Sequence, residues 1–161
     1  MKRLFLISAV LLMSITVMAK EIKTEIVIQA TPEKIWSILT DFENYPNWNP
    51  FVSSVKGAVD IGNKIKVGIH PSGGKKMTFK PIVITKIEEK ELSWRGKVLF
   101  RGLFDGEHKF ELIDNQDGTV TFIQSEKFKG LFVWMFNPKK TKEGFNRMNE
   151  KLKELAEKEI D

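Results

Sequence analysis

At 161 residues, 42% of them hydrophobic and 29% charged, the chain has the size and apolar content of one globular domain. The absence of cysteine excludes a disulfide framework, a thiolate zinc site and a cysteine nucleophile, and two histidines cannot furnish a His-rich metal site. The net charge of +5 is carried mostly as alternating Lys and Glu, without a basic block interleaved with aromatics, so nucleic acid is not an expected partner.

The chain begins with Met1-Lys2-Arg3, runs uncharged from Leu4 to Ala19, and regains charge at Lys20-Glu21. A basic start, a short apolar run and the small residues of Val17-Met18-Ala19 predict a secretory signal peptide over residues 1–19, cleaved after Ala19. The run is shorter than the ~20 residues of a spanning helix, which leaves an uncleaved N-terminal anchor as the alternative. Cleavage would remove Lys2 and Arg3 and no acid, leaving a domain at 20–161 in an exported protein, periplasmic or secreted.

Residues 21–29 alternate polar and apolar and read as a strand. Thr31-Pro32 then starts a helix, a hydroxyl cap followed by proline at the first helical position, with Ile35, Trp36, Ile38 and Leu39 on one face. Residues 41–50, dense in Asn, Pro and aromatics, predict a turn with one further helical turn. From 51 to 129 the period becomes two and predicts about six strands. Among them are 77–87 as one long strand, 92–100 with Leu92, Trp94, Val98 and Phe100 on one face, and 120–128 after a turn at Asn115-Gln116-Asp117-Gly118. Residues 141–160 form an amphipathic helix whose stripe includes Phe145, Met148, Leu152, Leu155, Ala156 and Ile160.

The sheet has one face to bury and the last helix one stripe, so the two must meet. Trp94, Phe100, Phe110, Phe122 and Phe128 face inward in this reading, where they either fill the space between sheet and helix or line a cavity there.

Two stretches resemble the signature of the polyketide cyclase/dehydrase and START-like lipid-transfer (SRPBCC) superfamily: Ala30-Thr31-Pro32-Glu33-Lys34-Ile35-Trp36 and Asp41-Phe42-Glu43-Asn44-Tyr45-Pro46-Asn47-Trp48-Asn49-Pro50-Phe51. Phe104-Asp105-Gly106-Glu107-His108-Lys109-Phe110 and Glu126-Lys127-Phe128-Lys129-Gly130-Leu131 resemble its last two strands. The resemblance implies an α+β helix-grip fold. In it a seven-stranded antiparallel sheet wraps a long C-terminal helix, two short helices follow the first strand, and an apolar cavity lies between sheet and helix. The implied partner is a small apolar or amphipathic molecule of lipid, polyketide or isoprenoid type, and no cofactor or metal is expected.

The polar candidates sit on the inward face. A three-residue loop at 116–118 would set His108 opposite Glu126, and a five-residue loop would set it opposite Gln124. Such a pair either orients a ligand carbonyl or hydroxyl, moves a proton in a cyclase or dehydratase with His108 as the acid or base, or simply ties the sheet to the helix. The expected ligand-facing set is Trp36, Trp48, Phe79, Trp94, His108, Phe110, Phe122, Gln124, Glu126, Met148 and Leu152. Residues 41–51 and 131–137 are the expected gate. His70 shares parity with Lys64 and Lys66 and should face water, and Arg101 and Asp105 should pair at the surface. Lys139, Lys140 and Lys142 read as a wet helix start, with contact to an anionic surface as the functional alternative. The chain has no Gly-x-Ser-x-Gly elbow, no glycine-rich phosphate loop and no His-Glu-x-x-His, so hydrolase and phosphoryl-transfer chemistry have no motif behind them.

Overall fold

The computed structural model describes residues 18–71, 74–97 and 100–158. The leader expected at 1–19 lies almost wholly outside them, as do Val98 and Ile160. The elements follow the order read from the sequence. Strand β1 (Met18–Ile28) leads into helix α1 (Pro32–Thr40) and the short α2 (Tyr45–Trp48). Seven further strands follow: β2 (Val52–Lys56), β3 (Lys66–Ile69), β4 (Met77–Phe79), β5 (Ile82–Ile87), β6 (Glu91–Lys97), β7 (Asp105–Asp114) and β8 (Val120–Gly130). A single 3-10 turn (Val133–Met135) precedes the long helix α3 (Lys139–Ala156).

Eight strands replace the expected seven, and they form two sheets: five strands in the order β1-β8-β7-β6-β5 and three in the order β2-β3-β4. Pro81 is the reason. It has no N–H to offer a ladder, so the run expected as one strand over 77–87 divides into β4, paired with β3, and β5, paired with β6. The sheets stay joined by the Lys64–Ile82 bridge and by Ile65 N donating to Pro81 O at 3.0 Å. The expected 92–100 run is described as strand up to Lys97, and Phe100 lies in the turn that Leu103 N closes on its carbonyl. Phe100 is therefore not an inward residue: it is 73% exposed, and Phe104 packs against Phe128 instead.

The local signals behave as their chemistry requires. Thr31 accepts from Lys34 N at 3.3 Å and Pro32 opens α1, whose Ile35 and Leu39 are buried. The buried stripe of α3 comprises Phe145, Met148, Asn149, Leu152 and Ala156. Asn149 donates to Thr24 Oγ1 on β1 at 3.0 Å, fixing the helix to the first strand.

Tyr45 anchors the segment after α1. It is fully buried, its hydroxyl donates to Leu39 O, and Phe42 and Trp48 pack edge-on against its ring. Burial pushes its phenol far above the ordinary value, and the Asp41 charge adds to the effect. A raised folded value means that this group's contribution is complete below about pH 10, where the unfolded phenol titrates, and declines above it. As Tyr45 is the one tyrosine of the chain, tyrosinate absorbance should stay silent in alkali until the fold opens. A tyrosinate signal rising while circular dichroism is still native would contradict this placement.

Candidate functional site

Between the two sheets and the start of α3 lies an apolar cavity of about 470 Å³, within the ~300–1,000 Å³ usual for small-molecule sites. Its volume comes partly from what is missing. Gly96 and Gly106 sit opposite each other in β6 and β7, on the face shared by Trp94 and His108, and both line the space. The three-stranded sheet supplies Val67, Ile69 and Phe79 as the facing wall, and Met77, Pro71, Phe132 and Phe136 surround the mouth.

One end of the cavity is polar. The β7–β8 register sets His108 opposite Glu126 and Phe110 opposite Gln124, the arrangement of the three-residue loop, with Gly118 at a positive φ of 87° in that turn. His108 Nδ1 lies 3.0 Å from Glu126 Oε2. The imidazole stacks on Trp94 at 4.9 Å and meets Phe110 and Phe145 edge-on at 4.6 and 5.2 Å. Its Nε2 is turned into the core, 3.4 Å from Gln124 Nε2. A proton on Nδ1 would be donated to the Glu126 carboxylate, and the Gln124 amide stands at Nε2 with its own Oε1 buried and unpartnered among the described residues.

The group that meets the cavity is therefore Glu126. Its Oε1 lies 2.8 Å from where a Cβ on Gly106 would stand, and it has no hydrogen-bond partner among the described residues. The glycine leaves room for that oxygen.

Of the expected ligand-facing residues, Phe79, Trp94, His108 and Glu126 line the cavity. Phe110, Phe122, Gln124, Met148 and Leu152 are buried deeper, packed in the core beyond its polar end. Trp36 lies elsewhere, beside a separate depression with Thr40, Phe42 and Lys86, and Trp48 packs on Tyr45. Of the expected gate, Phe51, Phe132 and Phe136 reach the cavity. Val67, Gly96 and Gly106 are lining residues that the sequence reading did not single out. His70 is exposed, as its parity required. Asp105 does not pair with Arg101: its Oδ2 accepts from Gly102 N at 3.0 Å and closes the turn. No cluster of three or more His, Asp or Glu placed to hold a metal occurs among the described residues.

A family model described as polyketide cyclase / dehydrase and lipid transport matches residues 19–157. The chain belongs to this family. Its helix-grip fold is that of the superfamily, with a helix clasped by antiparallel strands, and the cavity lies between the two sheets, with Thr141 as its lining residue from α3. No curated protein matches the sequence. Solved structures share the fold at low identity. Norcoclaurine synthase from Thalictrum flavum, in complex with dopamine and hydroxybenzaldehyde, is 14% identical with a TM-score of 0.69, covering 99% of this chain and 100% of that one. The major latex-like protein 151 of Panax ginseng is 11% identical with a TM-score of 0.71, covering 87% and 99%. Protein CV1439 from Chromobacterium violaceum is 17% identical with a TM-score of 0.68, covering 86% and 98%.

Proposed function

We propose that this family member is an exported carrier of a small amphipathic molecule, whose apolar body fills the cavity and whose hydrogen-bond donor meets Glu126. The observation that carries the reading is the unpartnered Oε1 of Glu126 at one end of an otherwise apolar 470 Å³ space. Apolar walls supply affinity in proportion to the area removed from water, at about 25 cal/mol per Å². A carboxylate oxygen without a partner accepts but cannot donate, so it selects for an alcohol or amine over an ether of the same shape. His108 positions that oxygen by holding its twin.

The same carboxylate favours a second reading, a cyclase or dehydratase in which Glu126 takes a proton beside a ligand carbonyl. His108 is poorly placed for that task because its Nε2 faces Gln124 and the core. Export rests on the leader pattern at 1–19. Cleavage after Ala19 would shorten β1 by Met18 and Ala19, which pair with Gly130 and Lys129, and leave Lys20 first; its Nζ donates to Phe136 O at 2.7 Å.

Native mass spectrometry of the protein recovered from its host's envelope tests both parts in one measurement. The expected result is a chain beginning at Lys20 that binds dodecanol at least about tenfold better than dodecyl methyl ether, with the preference lost in Glu126→Gln, since charged hydrogen bonds are worth ~1.5–3 kcal/mol. Equal binding of alcohol and ether by the unaltered protein would remove Glu126 from the proposal. Failure to bind either would remove the carrier.

A further inference from the structure

Among the described residues, the largest exposed apolar side chains lie at the mouth of the cavity. Phe100 is 73%, Met135 65% and Trp134 60% exposed, with Leu131 and Phe132 beside them. They come from two segments held side by side: Leu131 N donates to Gly102 O at 3.1 Å and Phe132 N to Leu103 O at 3.0 Å. Phe132 and Leu103 line the cavity itself, so the exposed patch is continuous with the interior. Exposed apolar surface of this extent, gathered at one place, marks a contact.

The charge around it is one-sided. Lys97, Arg101, Lys129, Lys139, Lys140 and Lys142 are all exposed at this end, against Glu143 and Asp105, and Asp105 is engaged by Gly102 N. Across the mouth, exposed Lys75 and Lys76 precede Met77, and no acid occurs between Asp60 and Glu88. The acids gather at the opposite end of the strands, at Glu88 and Glu89 after β5 and at Asp114 and Asp117 around the β7–β8 turn. Two copies meeting mouth to mouth would set basic rim against basic rim.

We propose that this end of the molecule docks on an anionic lipid bilayer. Phe100, Trp134 and Met135 enter the interfacial region, where aromatic and thioether side chains find an apolar surrounding, and the lysines meet the lipid phosphates. In that pose the cavity opens onto the bilayer. No helix among the described residues is long and apolar enough to cross a membrane, and the contact proposed is peripheral. Docking does not require an occupied cavity, so it stands or falls separately from the carrier reading.

Vesicle flotation tests it, with phosphatidylcholine vesicles with and without phosphatidylglycerol, and with variants compared in the same N-terminal form so that any retained leader contributes equally. The protein should float with the anionic vesicles and release in high salt. Trp134→Ala with Met135→Ala should weaken binding about tenfold or more. Each basic side chain near an anionic surface is worth about fivefold, so Lys139→Gln, Lys140→Gln and Lys142→Gln together should weaken binding to anionic vesicles more than tenfold. Phe100→Ala, in the other segment, should also weaken it and covers the case in which the double variant misfolds. Three results would overturn the proposal: no binding of the unaltered protein to anionic vesicles, binding undiminished in both apolar variants, or a doubling of mass in light scattering that Trp134→Ala abolishes, which would assign the patch to a second copy.

Discussion

Gly130→Ala is expected to destabilise the fold by about 3 kcal/mol or more, lowering the melting midpoint by roughly 10 °C. Gly130 ends β8 with a φ of 143°, a backbone state that side-chain-bearing residues rarely hold. A Cβ there would lie 2.4 Å from Leu103 O and 2.9 Å from Phe104 N. Both are backbone atoms, and neither can rotate away as a side chain can. The contact brings residues 100–104 against 131–136, so relief of the clash would separate the two segments that form the mouth. Gly102→Ala in the adjoining turn is the matched control. Its φ is 88° with nothing within 4 Å of the added Cβ, so it should cost only about 1–2 kcal/mol. Equal losses in the two variants would show that the close approach at Gly130 does not decide the packing.

Much of this architecture was legible because its signals are local. The stripe of α3 follows a period of 3.6, and Thr31-Pro32 marks the start of α1 by cap chemistry. The pairing of His108 with Glu126 followed once the loop at Gln116-Asp117-Gly118 was taken as three residues, because an antiparallel register propagates from its turn. Other features were present as residues but carried no periodic signal. Pro81 divides a continuous apolar run, and its effect depends on which neighbour each half pairs with. Phe100 continues the parity of Trp94 only on paper, since it stands exposed in the turn that Leu103 N closes on its carbonyl.

The site itself was half legible for a geometrical reason. Alternation tells which face a side chain takes, and it says nothing of depth along the strand. His108, Phe110, Phe122, Gln124 and Glu126 share one face, yet the cavity takes only the end nearest Gly106 and the core takes the rest. Val67 lies in the second sheet and Phe51 just before its first strand, and their place depends on how two sheets close on one another. Gly96 and Gly106 shape the cavity by having no side chain, which hydropathy scores as nothing.

That absence leads to the second large effect. Gly96→Phe should leave the stability unchanged or raise it by about 1 kcal/mol, because a β-strand disfavours glycine and favours aromatics by about that much. The new Cβ would meet Pro81 Cβ at 3.5 Å, an ordinary contact, and Gly106 across the strand pair offers no side chain to collide with. The ring has one open direction, into the cavity. There it would displace guest surface; at about 25 cal/mol per Å², losing about 55 Å² of contact is a tenfold loss of affinity. Titration with the fluorescent probe N-phenyl-1-naphthylamine, alongside thermal melts, measures both quantities. Stability and binding should therefore move in opposite directions. A variant that melts like the parent and binds the probe equally well would place the guest outside this cavity, and the carrier reading would fall with it.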